Sequence, residues 1–202
     1  MRTTATREDI DDVILDAADR LLARYGYRKM TMEDLAHEVG IGKGTIYLHF
    51  RSKEDLVLSH IDRLISRLKE RLTQIARGAG APAERLRQML VTRVLFRFDG
   101  VQHYTESLSD LLAAIRPALL VRRERHFEAE AQIFAEVLHE GQRDGTFAPS
   151  VNAPAAARTL LLATNALLPY SLSPVELGQR KDVERAATQI ADLMLHGLLS
   201  RQ

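Results

Sequence analysis

Helical periodicity constrains this chain more than any other feature of its sequence. From Ile10 to Tyr25, for example, apolar residues recur at steps of one, three and four, which places them on one face of an α-helix. Similar stripes continue towards the C-terminus, whereas the period-two alternation and the β-branched clusters typical of strands are absent from the sequence. The sequence therefore predicts an all-α fold.

Turn signals divide this helical pattern into segments. Three short helices are predicted before residue 51, followed by a long connector helix over 52–76 and then by GAGAP at 78–82, the clearest break in the chain. Loops rich in Gly, Pro, Asp and Ser separate five further helices, which makes nine in all, the last five being 83–98, 104–115, 118–143, 153–168 and 182–199. We expect two domains, 1–51 and 52–202.

Composition excludes several classes of protein. There are no cysteines, so disulfides, thiolate zinc sites and a cysteine nucleophile are excluded. The seven histidines show no metal-ligand spacing, and we predict neither a metal nor another cofactor. The most apolar stretch, LLLATNALL at 160–168, is too short to span a bilayer, and the N-terminus has no signal-peptide pattern. A cytoplasmic protein with no membrane partner is expected.

The stretch GIGKGTIYLHF at 40–50 could belong to a nucleotide-binding loop or to a helix-turn-helix motif. A phosphate-binding loop requires Ser or Thr after the lysine and a glycine five residues before Gly42. Gly44 and His37 stand at those positions, and the preceding segment has a helical pattern rather than a strand pattern. The stretch therefore predicts a helix, a tight turn at Gly40 and a second helix.

The second of these helices presents a polar outward face. Ile46 and Phe50 are its predicted anchors, with Ile41 before it. The residues left facing outward supply hydrogen-bond donors for phosphates and base edges, and they are Lys43, Gly44, Thr45, Tyr47 and His49. No carboxylate occurs from Val39 to Lys53. We predict a DNA-binding face, although Tyr47 or His49 taken alone is also compatible with ordinary packing.

The segment TMEDLAHEVGIGKGTIYLHFRSKEDLV, extended back through ILDAADRLLARYGYRKMT, resembles the helix-turn-helix of the TetR family of transcriptional regulators. The resemblance covers residues 8–60, and its most specific part is G-T-I-Y-x-H-F followed by S-K-E-D-L. Gly42 departs from the family pattern, which usually has Ser at the N-cap of the recognition helix. A side-chain phosphate contact from that position is therefore not expected.

The resemblance implies roles for individual residues. Lys43 and Gly44 would face bases, and phosphates would be bound by Thr31, Thr45, Tyr47, His49 and Lys53. It also implies a dimeric, non-enzymatic repressor that binds a palindromic operator and is released from it by a small-molecule inducer.

The C-terminal segment would then hold the inducer and the dimer interface. Tentative pocket residues are Met89, Phe96, Tyr104, Leu111, Phe127 and Asn165, although most of these apolar residues could equally form plain core. Asn165 could bond a ligand, a partner helix or a backbone carbonyl. The predicted dimer interface consists of Ala157, Leu161, Thr164, Ala187, Ile190 and Met194, with packing inside one chain as the alternative.

Two other classes of protein are compatible with an all-α chain. One is an enzyme, although the sequence shows no constellation of nucleophile, base and orienting group. The other is a helical adaptor whose 42–56 face binds protein rather than DNA.

Overall fold

A computed structural model describes residues 7–104, 108–169 and 178–199. This part of the chain contains eight α-helices and two short 3-10 helices at Gln102–Tyr104 and Asn165–Leu167. The α-helices are α1 Arg7–Lys29, α2 Met32–Val39, α3 Lys43–His49, α4 Lys53–Ala76, α5 Pro82–Asp99, α6 Leu108–Arg143, α7 Ala153–Thr164 and α8 Arg180–His196. Its β-type pairing is an isolated bridge between Phe147 and Leu199, so the predicted all-α fold is confirmed. No described helix is both long enough and apolar enough to cross a membrane.

The helix α6 replaces two predicted helices, so the described residues form eight rather than nine α-helices. The predicted break lay between residues 115 and 118, yet α6 runs through this gap, including Pro117, for a total of 36 residues. Proline lacks an amide donor and usually kinks or ends a helix. Here Ile115 is fully buried, whereas Arg116 and Pro117 are exposed, so burial at this point does not explain why the helix continues.

One compact unit comprises Met1–Leu64 with His103–Leu119. Its core contains fully buried residues from each of its main helices, namely Ile14, Leu35, Ile46, Leu56 and Ile115. Polar contacts join α1 to the first half of α4: the guanidinium of Arg63 lies 2.9 Å from the Asp12 carboxylate and 2.7 Å from that of Asp16. An apolar core and ion pairs between α1 and α4 therefore hold this unit together.

The second compact unit comprises Ile65–Gln102 with Leu120–Gln202. Its core cluster takes residues from α4 to α8, including Leu72, Met89, Phe134, Leu160 and Ala191. The two units are defined by which residues contact each other. The predicted boundary between residues 51 and 52 instead separates a DNA-binding part from a part that binds a ligand and forms a dimer. That functional boundary stays a prediction.

Candidate nucleic-acid interface

The first helix of the motif, α2, has well-defined ends. The Thr31 hydroxyl accepts a hydrogen bond from the Asp34 amide at 3.1 Å, and the Asp34 carboxylate accepts one from the Thr31 amide at 3.0 Å, which forms a capping box. The pKa of Asp34 is lowered, chiefly by the hydrogen bond from the Thr31 side chain and secondly by the one from the Thr31 backbone amide. At the other end, Gly40 has a φ of +76°, a left-handed conformation that glycine adopts without steric cost. The chain therefore turns sharply into α3.

The orientation of α3 about its own axis follows from its anchors. Ile46 is fully buried and Phe50, which follows the helix, is nearly so. Tyr47 and Leu48 consequently point outward, with 46% and 76% of their surfaces exposed. Gly44 lies one turn before Leu48, and no atom would lie within 4 Å of a side chain added there. These residues, together with Lys43, form an open surface that we call the α3 face.

Lys43 shares the α3 face with a carboxylate from the neighbouring helix. Its ammonium lies 2.7 Å from Oε2 of Glu33, and the hydrogen bond and the charge of Glu33 raise the pKa of Lys43. The absence of acids within the segment from Val39 to Lys53 thus does not make the surface free of acids, because α2 contributes one. Glu33 was not predicted as part of this surface, since the sequence spacing does not indicate which residue of α2 lies beside Lys43.

Two predicted phosphate-binding residues have partners within the protein. The Thr31 hydroxyl donates to the Asp34 carboxylate at 2.7 Å, so the amides at the start of α2 are the better donors for a phosphate. His49 Nδ1 lies 2.5 Å from the carboxylate of Asp11. Thr45 is half-buried. The phosphate contacts of these three residues stay predictions.

Lys53, also predicted to bind phosphate, is bound to the end of α1. Its ammonium donates to the carbonyl oxygens of Tyr27 at 2.8 Å and Met30 at 3.1 Å. It also lies 4.4 Å from the centre of the Tyr27 ring, which is within the range of a cation–π interaction. The geometry therefore gives Lys53 a structural role, whatever it does with DNA.

Leu48 is the exposed residue of α3 that the sequence-based prediction omitted. Apolar residues in a helical stripe are usually assigned to the core, and Leu48 was not separated from that group. The sequence spacing nevertheless indicates that Leu48 is exposed, because it lies four residues after Gly44 and two after the buried anchor Ile46. At 100° per residue that spacing places it with Gly44 and away from the core.

The six predicted pocket residues are divided between the two compact units. Tyr104 and Leu111 belong to the first compact unit, where both are buried and the Tyr104 hydroxyl donates to Asp19. Met89 is fully buried in the core of the second unit. Phe127, also in the second unit, stacks with its ring centre 5.4 Å from the guanidinium of Arg158. Phe96 lines an open cleft in that unit.

The remaining pocket candidate, Asn165, belongs to a buried polar network. Its side-chain oxygen accepts a hydrogen bond from Nη2 of Arg93 at 3.0 Å, and the Thr164 hydroxyl accepts one from Nη1 at 2.9 Å. Nε of Arg93 donates to Glu130 at 2.7 Å, and Arg97 also donates to Glu130. Asn165 thus bonds a neighbouring helix of the same chain. Of the roles considered for it, contact with another helix fits the structure best.

The predicted dimer residues divide into two groups. Four of them are fully buried inside the single chain, and these are Ala157, Leu161, Thr164 and Ala187. Packing inside one chain, the alternative considered for these residues, accounts for the burial of these four, and the dimer interface itself stays a prediction. Ile190 and Met194 are half-buried. The large apolar residues exposed on the same helices are Leu162 on α7 and Leu193 on α8, the latter 77% exposed.

Comparison with known proteins identifies relatives of both parts of the chain. The sequence profile of the family described as bacterial regulatory proteins, tetR family, matches residues 14–59. The HTH-type transcriptional repressor KstR2 of Mycolicibacterium smegmatis is 28% identical over 151 residues, which cover 70% of this chain and 69% of that protein. The fatty acid metabolism regulator protein of Bacillus subtilis is 32% identical over 73 residues, 36% of this chain and 38% of that protein.

A crystal structure of a transcriptional regulator from Cytophaga hutchinsonii has the same fold, with a TM-score of 0.78 at 22% identity over 94% of this chain and 98% of that one. The family profile covers α2, α3 and the turn between them, where the α3 face is exposed. From this match and the sequence relatives we conclude that the chain is a DNA-binding transcriptional regulator in which residues 14–59 form a helix-turn-helix segment of the TetR family.

Proposed function

We propose that this protein is a homodimeric repressor that binds a palindromic operator and leaves it when a small molecule binds. The observation that carries the proposal is the α3 face, which combines an exposed cation, a phenol, an exposed leucine and a glycine without side-chain cover. An α-helix of this kind fits the DNA major groove. The relative from Mycolicibacterium smegmatis, named as a repressor, supports the sign of regulation.

Each residue of the α3 face has a distinct part in this proposal. The Lys43 ammonium donates to O6 and N7 of a guanine, and Leu48 contacts the methyl group of a thymine. Gly44 lets the helix backbone approach the base edges closely, because it has no side chain. The Tyr47 hydroxyl binds a phosphate, which fixes the position of the helix without reading sequence.

Dimerisation follows from the small size of this surface. An α3 of seven residues reads few base pairs, whereas a two-fold dimer doubles the site and favours a palindrome. We assign the interface to the exposed sides of α7 and α8, which carry Leu162 and Leu193. Leu193→Glu should therefore yield monomers in light scattering, while Lys181→Glu on the same helix should leave dimers. A dimeric Leu193→Glu protein would exclude this surface.

The proposal also assigns a function to each of the two predicted domains. Residues 1–51 would bind DNA, and residues 52–202 would bind the inducer and form the dimer. A coupling free energy of roughly 1–3 kcal/mol between the two ligands would change operator affinity about 5- to 150-fold. The coupling is reciprocal, so operator DNA must weaken inducer binding by the same factor.

A salt titration tests the central claim. An operator is first selected from random duplexes by repeated binding, and its affinity is then measured by fluorescence anisotropy between low and high salt. Phosphate contacts predict a steep fall in affinity with salt. Lys43→Ala should weaken binding roughly tenfold and relax the preference at one base position, whereas the control Lys181→Ala, on α8, should not. If no duplex is selected, the protein-binding adaptor becomes the better hypothesis.

A further inference from the structure

An open cleft of about 430 Å³ lies in the second compact unit, between one face of α4 and one face of α5. Arg67 and Arg71 line it from α4, and Leu95 and Phe96 line it from α5. The two arginines are four residues apart, which places them on the same side of their helix. The volume lies in the usual range for small-molecule sites, about 300–1,000 Å³.

The charges in this cleft are not fully paired. Arg180, at the start of α8, is held by the two carboxylate oxygens of Asp99 at 2.9 and 3.3 Å. Arg71 has a weak bond to the Gln74 amide oxygen at 3.4 Å. Among the described residues, no carboxylate lies within 4 Å of the guanidinium nitrogens of Arg67 or Arg71, although Glu70 also lines the cleft. Two guanidinium groups are thus left available to an anion.

The α5 wall is mixed: Leu95 and Phe96 lie between the polar residues Thr92 and Asp99, and the Asp99 carboxylate is engaged by Arg180. Leu95 is almost completely buried and Phe96 is half-buried, and both pack within the second unit. An arginine presents a planar set of donors that matches the oxygens of a carboxylate or a phosphate. A ligand that satisfies both walls needs an anionic head and an apolar body.

We propose that this cleft binds a small molecule in which a carboxylate or phosphate group is joined to an apolar chain or ring. The oxyanion would accept hydrogen bonds from Arg67 and Arg71, and the apolar part would cover Leu95 and Phe96. The proposal deepens the proposed function, on which it rests for its biological meaning, because it assigns a chemical class to the inducer. It places the ligand in a surface cleft rather than among the six predicted pocket residues, of which Phe96 alone is shared.

Calorimetric titration of the full chain without DNA tests the site. The probes are decanoate, decyl phosphate and, as the uncharged match, decanol, each kept below its micelle concentration. At least one of the two anions should bind clearly more tightly than decanol. The double substitution Arg67→Gln with Arg71→Gln should weaken that binding by roughly tenfold or more, since charge-assisted hydrogen bonds are lost. Whichever anion binds more tightly identifies the head group.

The matched control is Arg77→Gln, which removes the same charge just beyond the end of α4 and outside the cleft. Circular dichroism of each variant verifies that it is folded. Binding that is equal for anion and alcohol, absent for all three probes, or unchanged in the double variant overturns the proposal. Because no DNA is present, that failure is separate from a failure of repression, which is measured by operator binding alone.

Discussion

Two ion pairs of equal length stand in opposite environments in this protein. Lys43 and Glu33 on the α3 face lie 2.7 Å apart, with side chains 50% and 72% exposed. Arg93 and Glu130 in the second compact unit are also 2.7 Å apart, but only 2% and 0% exposed. The distance is the same in both pairs, so the pairs differ in their exposure to solvent.

Burial decides what each pair can do. An exposed pair contributes little to stability because solvent screens it, so the protein loses little when Lys43 exchanges Glu33 for DNA. The buried pair has given up its hydration and is completed by bonds from Arg93 to Thr164 and Asn165. Removing one member leaves an unpaired charge in the core. The exposed pair is suited to exchange partners and the buried pair to hold helices together.

The largest effect is expected from Glu130→Gln. The substitution keeps the shape of the side chain but removes the buried carboxylate charge that Arg93 and Arg97 share. The free energy of unfolding should fall by about 3–5 kcal/mol, as for other broken buried pairs. Urea denaturation measures it. The control is Glu124→Gln, an exposed glutamate on the same helix, which should change stability by less than about 0.5 kcal/mol. Equal effects of the two substitutions would mean that burial does not distinguish them.

The same pair predicts a dependence on pH. Burial alone would raise the pKa of Glu130, but the charges and hydrogen bonds of Arg97 and Arg93 outweigh it and leave the pKa below its ordinary value. The pair therefore stabilises the folded state above the unfolded pKa of about 4.3, and this contribution is lost as the pH falls through the folded-state pKa. The difference in the free energy of unfolding between the natural protein and the Glu130→Gln variant should become smaller below about pH 4. A difference in unfolding free energy that stays constant from pH 7 to pH 3 would contradict this pH dependence.

Lys53 and Lys43 extend the comparison to two cations that were both predicted to contact DNA. Lys53→Met removes two hydrogen bonds to the end of α1 and a cation–π contact, so we expect a loss of about 1–2 kcal/mol in the free energy of unfolding. Lys43→Met is the matched control and should leave stability nearly unchanged while weakening operator binding. If Lys53→Met weakened DNA binding and left stability unchanged, the phosphate role would be right and the structural role wrong.

These lysines also show how far sequence reasoning reaches. Local rules placed the helix-turn-helix correctly, because the Thr31–Asp34 capping box, the left-handed Gly40 and the buried Ile46 depend on neighbours within a few residues. The partners of Lys43, His49 and Lys53 could not be predicted in the same way. Glu33, Asp11 and Tyr27 lie 10, 38 and 26 residues away in sequence, and tertiary packing brings each pair together.

The second compact unit was harder to predict for a related reason. Aromatic and small apolar residues at helical spacing indicate that a helix is buried, but not against what. Ala187 was therefore predicted in the dimer interface although it is fully buried, whereas Leu193 on the same helix is exposed and was not in the predicted set. The cleft between α4 and α5 depends on two stripes of residues that only the packing of these helices brings face to face.

The smallest effect is expected from Glu33→Gln, which removes the negative charge of the exposed pair and leaves Lys43 in place. The carboxylate holds the Lys43 ammonium at 2.7 Å and would also repel the DNA phosphates. Its loss should raise operator affinity about two- to fivefold at low salt, an effect that fades as salt screens it. The measurement is anisotropy against salt, with Glu124→Gln as the control. A fall in affinity would contradict this role, and a fall confined to operators with cytosine at one position would show that Glu33 itself accepts a hydrogen bond from a base.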